Sequence, residues 1–386
     1  SKRREIQKSK YGVSENRARL LPQISAVAGY SNNFDPPVSV TDGSSYGVPY
    51  NITQTLQHSA NAGLEMQMPL FNQTLYTSMS IAKVVEEISR LSYGKAREDI
   101  ILQISKMYYL GQVTAEQIVL IKANITRLEE LRDITRAFFD NGMSMEVDLK
   151  RVNINLENLK VQYDNAQAMM KQQLNMLKYI MDYPAEKEIA LTPVNTDSIT
   201  TVALTGLSEN LYELQLTQSQ LELAERQKRM ITNGYIPSLS LTGNWRYAAY
   251  TDKGYHWFHS GPSNHWFRSY GLGLTLRIPI FDGLDKTYKI RKAMIDIENR
   301  KLAWEDTRKN LQTQYLNAVN DLMNNQRNFK KQKDNYLLAE DVYAVTSDRY
   351  REGIASMTEV LQDEMQMSEA QNNYINAHYN LSLIHI

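Results

Sequence analysis

The chain has 386 residues with 43 basic and 43 acidic side chains, so its formal charge is zero and nothing marks a nucleic acid as its partner. It holds no cysteine, which excludes disulfides, zinc ribbons and thiol chemistry and leaves the compartment open. Mean hydropathy is −0.48 and no apolar stretch approaches the eighteen or so residues of a spanning helix, yet a β-barrel hides its membrane signal in alternation and escapes that count.

Ser1 to Leu21 reads as a helix that begins without an initiator Met or a leader, so any export signal is expected to have been removed or to lie outside this sequence. Leu21-Pro22 ends it, and Ile24 to Tyr30 alternates weakly because Val27 breaks the polar face. A loop rich in Gly, Pro, Ser and Asn (33–54) leads to a strict alternation from His58 to Met68. There Ala60, Ala62, Leu64, Met66 and Met68 oppose Ser59, Asn61, Gly63, Glu65 and Gln67. After "MPLFN" (68–72), the run from Asn72 to Phe139 has no Pro, and Gly only at 94 and 111. One helix of roughly 65 residues would be about 100 Å long at about 1.5 Å per residue. Gly142 marks a tip, and a returning helix is expected from about Glu146 to Met181. Residues 182–206, dense in turn signals, read as a linker.

The second half repeats this order. A helix is expected over about 207–233, then strands in which Leu239, Leu241, Trp245 and Tyr247 oppose Ser238, Ser240, Thr242, Asn244 and Arg246. In the next strand Tyr270, Leu272, Leu274, Leu276 and Ile278 oppose Gly271, Gly273, Thr275 and Arg277. The loop between them (249–267) is again long and polar, and "IPIFD" (278–282) stands about 210 residues after its counterpart. Asp285 to Arg351 lacks both Gly and Pro, and Tyr315, Leu322, Phe329, Tyr336, Tyr343 and Tyr350 recur every seventh residue as a coiled-coil seam. Gly353 is the second tip, and Met357 opens the second returning helix. Glu359 and Val360 match Asp148 and Leu149 of the first half. These landmarks predict a tandem duplication: 1–181 as first repeat, 182–206 as linker and 207–380 as second repeat. Leu381 to Ile386 reads like the translation of a transposon-type sequencing adapter, a non-native tail set aside from the fold.

The alternating segments fit two architectures. A soluble sheet would pack its apolar face on helices, whereas membrane strands would turn it to lipid and their polar face to a water-filled lumen. Long polar loops and aromatics near strand ends (Tyr30, Trp245, Tyr247, Trp257, Trp266, Tyr270) favour the second. Four strands cannot close, because an open edge in hydrocarbon leaves backbone groups unpaired at several kcal/mol each. Two copies would give eight strands and three would give twelve, with room for a channel. Pro22, Pro69, Pro237 and Pro279 fall where helix and strand are expected to meet, with Phe71 and Phe281 near a membrane boundary.

No catalytic residue is assigned, since metalloprotease, P-loop and nucleophile-elbow motifs do not occur. Gly271-x-Gly273 lies inside a strand pattern without the third glycine of a dinucleotide fingerprint. Ser80 and Lys83 have serine–lysine spacing but sit in a helical run without the partner motifs. His256, His259 and His265, among Tyr255, Trp257, Trp266 and Phe267, read as loop packing or girdle more than as a metal site. No cofactor or metal is expected.

Together, Leu21-Pro22 and Ile236-Pro237, Met68 to Asn72 and Ile278 to Asp282, and Gly142 to Leu149 and Tyr350 to Leu361 resemble the paired motifs of the TolC-like outer-membrane efflux protein family. The resemblance covers the chain apart from its last residues. It implies a mainly α fold with a β-barrel contribution: four transmembrane strands and very long antiparallel helices per chain, in a homotrimer with a twelve-stranded barrel and an α-helical tunnel. It further implies the outer membrane of a Gram-negative bacterium, with the helical part in the periplasm. The implied role is a passive conduit for drugs, small molecules or proteins, in efflux or type I secretion. Implied partners are a periplasmic adaptor (membrane fusion protein) and an inner-membrane pump of RND, ABC or MFS type. In similar proteins two aspartates after the second tip glycine line the constriction. Glu359 stands at the first of these positions and Gln362, a departure, at the second, with Asp363 beside it. Gly142, Met143, Ser144, Gly353, Ile354 and Ala355 are the expected adaptor-docking tips. The alternative from another class is a soluble or periplasmic coiled-coil scaffold.

Overall fold

The computed structural model describes residues 2–36, 38–42, 44, 47, 52–54, 57–192, 206, 208, 210–251 and 266–384. Its elements are α1 (Lys2–Ala18), β1 (Gln23–Asn32), β2 (Ser39–Thr41), β3 (Ile52–Gln54), β4 (His58–Phe71), α2 (Gln73–Asp140), α3 (Glu146–Ile180), α4 (Tyr212–Asn233), β5 (Ser238–Thr251), β6 (Trp266–Arg277), α5 (Asp285–Arg351) and α6 (Met357–Ile384). The expected order holds, and the two Pro-free runs form α2 and α5, of 68 and 67 residues. The β2–β3 hairpin inside the first long loop was not expected. The chain divides into two compact units that cut across the repeats: Ser1–Tyr93 with Leu211–Thr307, and Gly94–Asn210 with Arg308–Ile386.

The first unit holds an antiparallel sheet in the order β1-β4-β5-β6. Its register sets Ile24 opposite Met66, Met66 opposite Gly243 and Gly243 opposite Leu272, while Ala26, Leu64, Trp245 and Tyr270 form the next row. A one-residue slip would exchange the two faces, so this register makes one apolar and one polar surface from four separate alternations. α4 is tied to the start of α2 by Asn233, whose Nδ2 donates to Thr77 Oγ1 at 2.6 Å, and by Arg226, which donates to Ser80 Oγ. Ser80 therefore serves as a hydrogen-bond acceptor between helices.

The second unit is four-helical. Leu128 and Leu131 of α2, Val152, Leu156 and Leu159 of α3, Tyr343 and Tyr350 of α5, and Met357, Val360, Leu361 and Met367 of α6 form one buried cluster. The heptad seam of α5 points into this core: Tyr343 and Tyr350 are buried, and Phe329 and Tyr336 pack on Tyr374 of α6. The described ends of the linker dock on the long helices, where Gln112 Nε2 donates to Thr192 O at 2.6 Å and Gly206 N–H donates to Tyr315 Oη at 3.0 Å. A Cβ at Gly111 would stand 2.8 Å from a terminal methyl of Leu191, which places the linker side chain close against α2 at that glycine. The segment set aside at the C-terminus is helical as far as Ile384, with Leu381 buried.

Candidate functional site

The sheet presents its apolar face uncovered. Tyr270 and Leu272 are 77 % and 78 % exposed, and Ile24, Leu64, Trp245, Leu274 and Leu276 are exposed beside them. An apolar surface this continuous is stable only against another apolar medium. Aromatics cluster toward one end, with Trp245 and Tyr247 edge to face at 5.6 Å and Tyr30 stacked on His58 while its hydroxyl lies 3.0 Å from His58 Nδ1. On the opposite face Gln23, Ser25, Gln67, Thr242 and Asn244 surround an ion pair in which Arg246 Nη2 donates to Glu65 Oε1 at 2.5 Å. β1 and β6 are the two edge strands of this sheet among the described residues.

The strand–helix junctions give the repeated motif its physical role. Pro22 and Pro237 directly precede β1 and β5, whereas Pro279 lies two residues beyond β6. Pro69 departs from the expected place at a junction: it stands inside β4 opposite Ser240, at a register shift between Pro69 and Phe71. A residue without an N–H is tolerated there because the bulge breaks the ladder. The Asn/Asp that ends the motif is a helix start. Asn72 Oδ1 accepts from the N–H groups of Thr74 (3.0 Å) and Leu75 (3.2 Å), which caps α2. Asp282 is set farther back by Gly283 and Leu284, both left-handed, and holds Lys286 Nζ at 2.9 Å, an ion pair that keeps its carboxyl below the usual range. Phe71 and Phe281 are exposed.

Both tips use one backbone device. Gly142 and Gly353 have φ +75°, which lets the next residue's N–H turn back on the helix: Met143 donates to Phe138 O (2.7 Å) and Ile354 to Arg349 O (2.8 Å). The glycines themselves donate to Phe139 O and Tyr350 O, both at 2.9 Å, completing two Schellman endings. Met143, Ile354 and the neighbouring Met145 are exposed apolar side chains at these ends, while Ser144 and Ala355 are half-buried.

The three candidate constriction residues separate. Glu359 is exposed, and its carboxylate accepts from Ser356 N–H (3.0 Å) while its own N–H donates to Ser356 Oγ (3.3 Å), a reciprocal capping box. Gln362 lines a groove of about 840 Å³ between α3 and α6, together with Arg151, Asn155, Gln162, Glu364 and Glu369. Asp363 is half-buried. The acid buried here is the next residue, Glu364. It is 5 % exposed, and burial pushes its carboxyl above the ordinary value, partly opposed by the Arg127 guanidinium. Arg127 also pairs with Glu340 at 3.2 Å and donates to Asn124 Oδ1, and Asn124 Nδ2 donates to Gln371 Oε1 at 2.7 Å. This polar chain crosses α2, α5 and α6, running from the partly exposed Arg127 and Glu340 to the buried Asn124 and Gln371. The His256, His259 and His265 loop, with Tyr255 and Trp257, lies outside the described residues.

The sequence matches the profile of the family described as outer membrane efflux protein over residues 2–181 and 203–383. It is 20 % identical to outer membrane protein TolC of Vibrio cholerae, over 96 % of this chain and 82 % of that one. It is 24 % identical to the probable efflux pump outer membrane protein TtgC of Pseudomonas putida, over 88 % of this chain and 71 % of that one. Among solved structures, CusC shares the fold with a TM-score of 0.79 at 16 % identity, over 99 % of this chain and 86 % of that one. No described helix is long and apolar enough to cross a membrane. The bilayer-facing candidate is the sheet.

Proposed function

The chain belongs to the outer membrane efflux protein family and is an outer-membrane protein, and from that premise we propose that three copies join their sheets into one twelve-stranded barrel that serves as a passive exit conduit. The observation that carries this reading is the sheet itself: four described strands, open at β1 and β6, with one continuous exposed apolar face and one polar face. Lipid would cover the first face, water the second, and neighbouring copies the edges. A soluble scaffold would bury Tyr270, Leu272 and Leu274 beneath helices, and they are exposed.

In this reading a periplasmic adaptor docks on the two tips and couples the conduit to an inner-membrane pump. Support comes from the exposed apolar side chains that the two Schellman turns present, Met143 and Ile354. Substrate choice then rests with the pump, and the polar α3/α6 groove lines part of the path. The test is the mass of the detergent-extracted protein by light scattering. A trimer that gives steady conductance in planar bilayers is expected, and a stable monomer that purifies without detergent overturns the reading.

A further inference from the structure

Arg268 stands alone on the apolar face of the sheet. The register of β4, β5 and β6 sets Ala62, Tyr247 and Arg268 in one row, with Leu64, Trp245 and Tyr270 in the next row on the same side. Side chains alternate along a strand, so Arg268 shares its side of β6 with Tyr270, Leu272, Leu274 and Leu276. Among the described strand residues on that side there is no other Lys, Arg, Asp or Glu. Arg268 is exposed, its guanidinium lies 5.9 Å from the centre of the Tyr270 ring, and it has no carboxylate partner among the described residues. Arg246, on the polar face, is bound to Glu65. One arginine is neutralised within the chain and the other is left to the medium.

The height of Arg268 fits a membrane boundary. From Arg268 to Ile278, the residue after β6, the chain covers about 33 Å at about 3.3 Å per residue, or about 25 Å of height at a strand tilt of about 40°. That is the height of the apolar band of an outer-membrane barrel, so Arg268 lies at one rim of it. A cation turned to lipid is least unfavourable there. The helices leave the sheet at the other rim, α2 after β4 and α5 after β6. With the helical part in the periplasm, the Arg268 rim meets the outer leaflet.

Next to Arg268 the face is grooved. Gly243 leaves a hollow of about 510 Å³ between Met66 and Leu272, walled by Leu64, Trp245 and Tyr270. A Cβ at Gly243 would stand 3.2 Å from both Met66 Cε and Leu272 Cδ2, so a larger residue would occupy the hollow. Leu272, opposite Gly243, is about 13 Å along the strand from Arg268 at about 3.3 Å per residue. A molecule with an ionic group at the rim and a hydrocarbon chain below it spans that distance.

We propose that Arg268 and the Gly243 groove form one lipid site, in which the guanidinium binds a headgroup phosphate of an outer-leaflet lipid and the groove takes one of its acyl chains. This rests on the lipid-facing reading of the sheet above and gives that face a chemically specific occupant. Charge complementarity selects it. The guanidinium offers paired N–H donors that match phosphate oxygens, and only an amphiphile places phosphate at the rim and hydrocarbon in the groove. The contact with Tyr270 restrains the guanidinium on the lipid side of the sheet.

The test uses lipid A, a phosphorylated glycolipid of that leaflet. Protein extracted in dodecyl maltoside and stripped of bound lipid is titrated with lipid A bearing both phosphates, and with the same lipid after its phosphates are removed. Retained lipid is read by native mass spectrometry. The parent is expected to hold the phosphorylated form about tenfold more tightly, the size of effect that one charge-assisted contact gives. Arg268→Gln should abolish that preference, and Arg268→Lys should keep part of it. Gly243→Val, which fills the groove, should weaken both forms alike. Equal retention of the two forms by the parent, an undiminished preference in Arg268→Gln, or displacement by an equal concentration of inorganic phosphate overturns the phosphate contact. Unchanged retention in Gly243→Val overturns the placement of the chain. In each of these cases a protein that still requires detergent leaves the lipid-facing reading standing. A protein that stays dispersed without detergent and retains neither lipid brings down both.

Discussion

Gly142 and Gly353 carry the same dihedral and the same two returning hydrogen bonds, yet the helices that follow them begin differently. α3 starts at Met145 with no side-chain cap, and Val147 in its first turn is exposed. α6 starts at Ser356 inside a capping box with Glu359, and Met357, Val360 and Leu361 are buried at once. What the backbone demands survived duplication in both copies. What the side chains do with the turn diverged, so that one tip lies open and the other is anchored in the core. Asn153 and Glu364 stand equally far beyond their glycines and show the same split: the first is exposed and the second is 5 % exposed.

The comparison breaks most sharply at the glycines. A Cβ at either position meets nothing within 4 Å, so the cost of a substitution is conformational, about 1–3 kcal/mol for a non-glycine held in the left-handed region and greatest for a β-branched one. Gly353→Val is expected to abolish efflux-dependent drug resistance while trimers still reach the outer membrane. Gly142→Val is expected to do the same if both tips dock the adaptor. Unchanged resistance in the Gly353→Val strain would count against docking there, and loss confined to Gly353→Val would assign docking to the anchored tip alone.

A smaller effect is expected at the buried carboxylate. Burial raises the Glu364 carboxyl above its unfolded value, so its contribution to stability is fully present below that unfolded value and is lost as pH rises through the folded one. Thermal melts of the detergent-solubilised protein between about pH 4.5 and 8 should therefore show helical stability falling toward the alkaline side. Glu364→Gln should flatten that slope and raise the melting temperature at neutral pH, with Arg127 still paired to Glu340. Parallel profiles for the two proteins would mean that the carboxylate finds compensation beyond Arg127. Asn153→Asp, at the exposed counterpart, should change little.

Much of this arrangement was legible in residue spacing. Period-two alternation located all four sheet strands, the Pro-free runs located α2 and α5, and the seven-residue aromatic spacing located the face of α5 that is buried. Local chemistry hid the rest. Pro69 looks like the other three junction prolines, and only the pairing of β4 with β5 shows that it occupies a bulge. The Asn at the end of "MPLFN" caps a helix, which spacing to α2 would have suggested had the motif been read forward instead of as the end of a strand. Glu364 could not be told from its acidic neighbours, because burial on α6 depends on three other helices. The Ser356–Glu359 box is written in the sequence as S-x-x-E directly before Val360 and Leu361, a helix-start signature that stands at the same residue as the family's constriction acid.

That last pair gives the finest test of the two tips. Glu359 has two candidate roles, an acid in a three-fold ring at the channel constriction and the closing half of a cap. Substitutions separate them, because glutamine can still accept from Ser356 N–H and carries no charge, whereas alanine removes both functions. Glu359→Ala should cost about 1 kcal/mol of helix stability, as loss of a cap does, and loosen the second tip toward the uncapped state of the first. Glu359→Gln should leave stability close to the parent and act on conduction alone: weaker cation preference and weaker block by multivalent cations in planar bilayers, with a small change in open probability. Gln362 lines the α3/α6 groove while the Glu359 carboxylate is turned back toward its own helix start, so Gln362→Asp should strengthen cation preference and block. It should do so by more than Glu359→Gln weakens them. If Glu359→Gln leaves selectivity and block as they were and only Glu359→Ala has an effect, Glu359 is a cap and no part of the constriction.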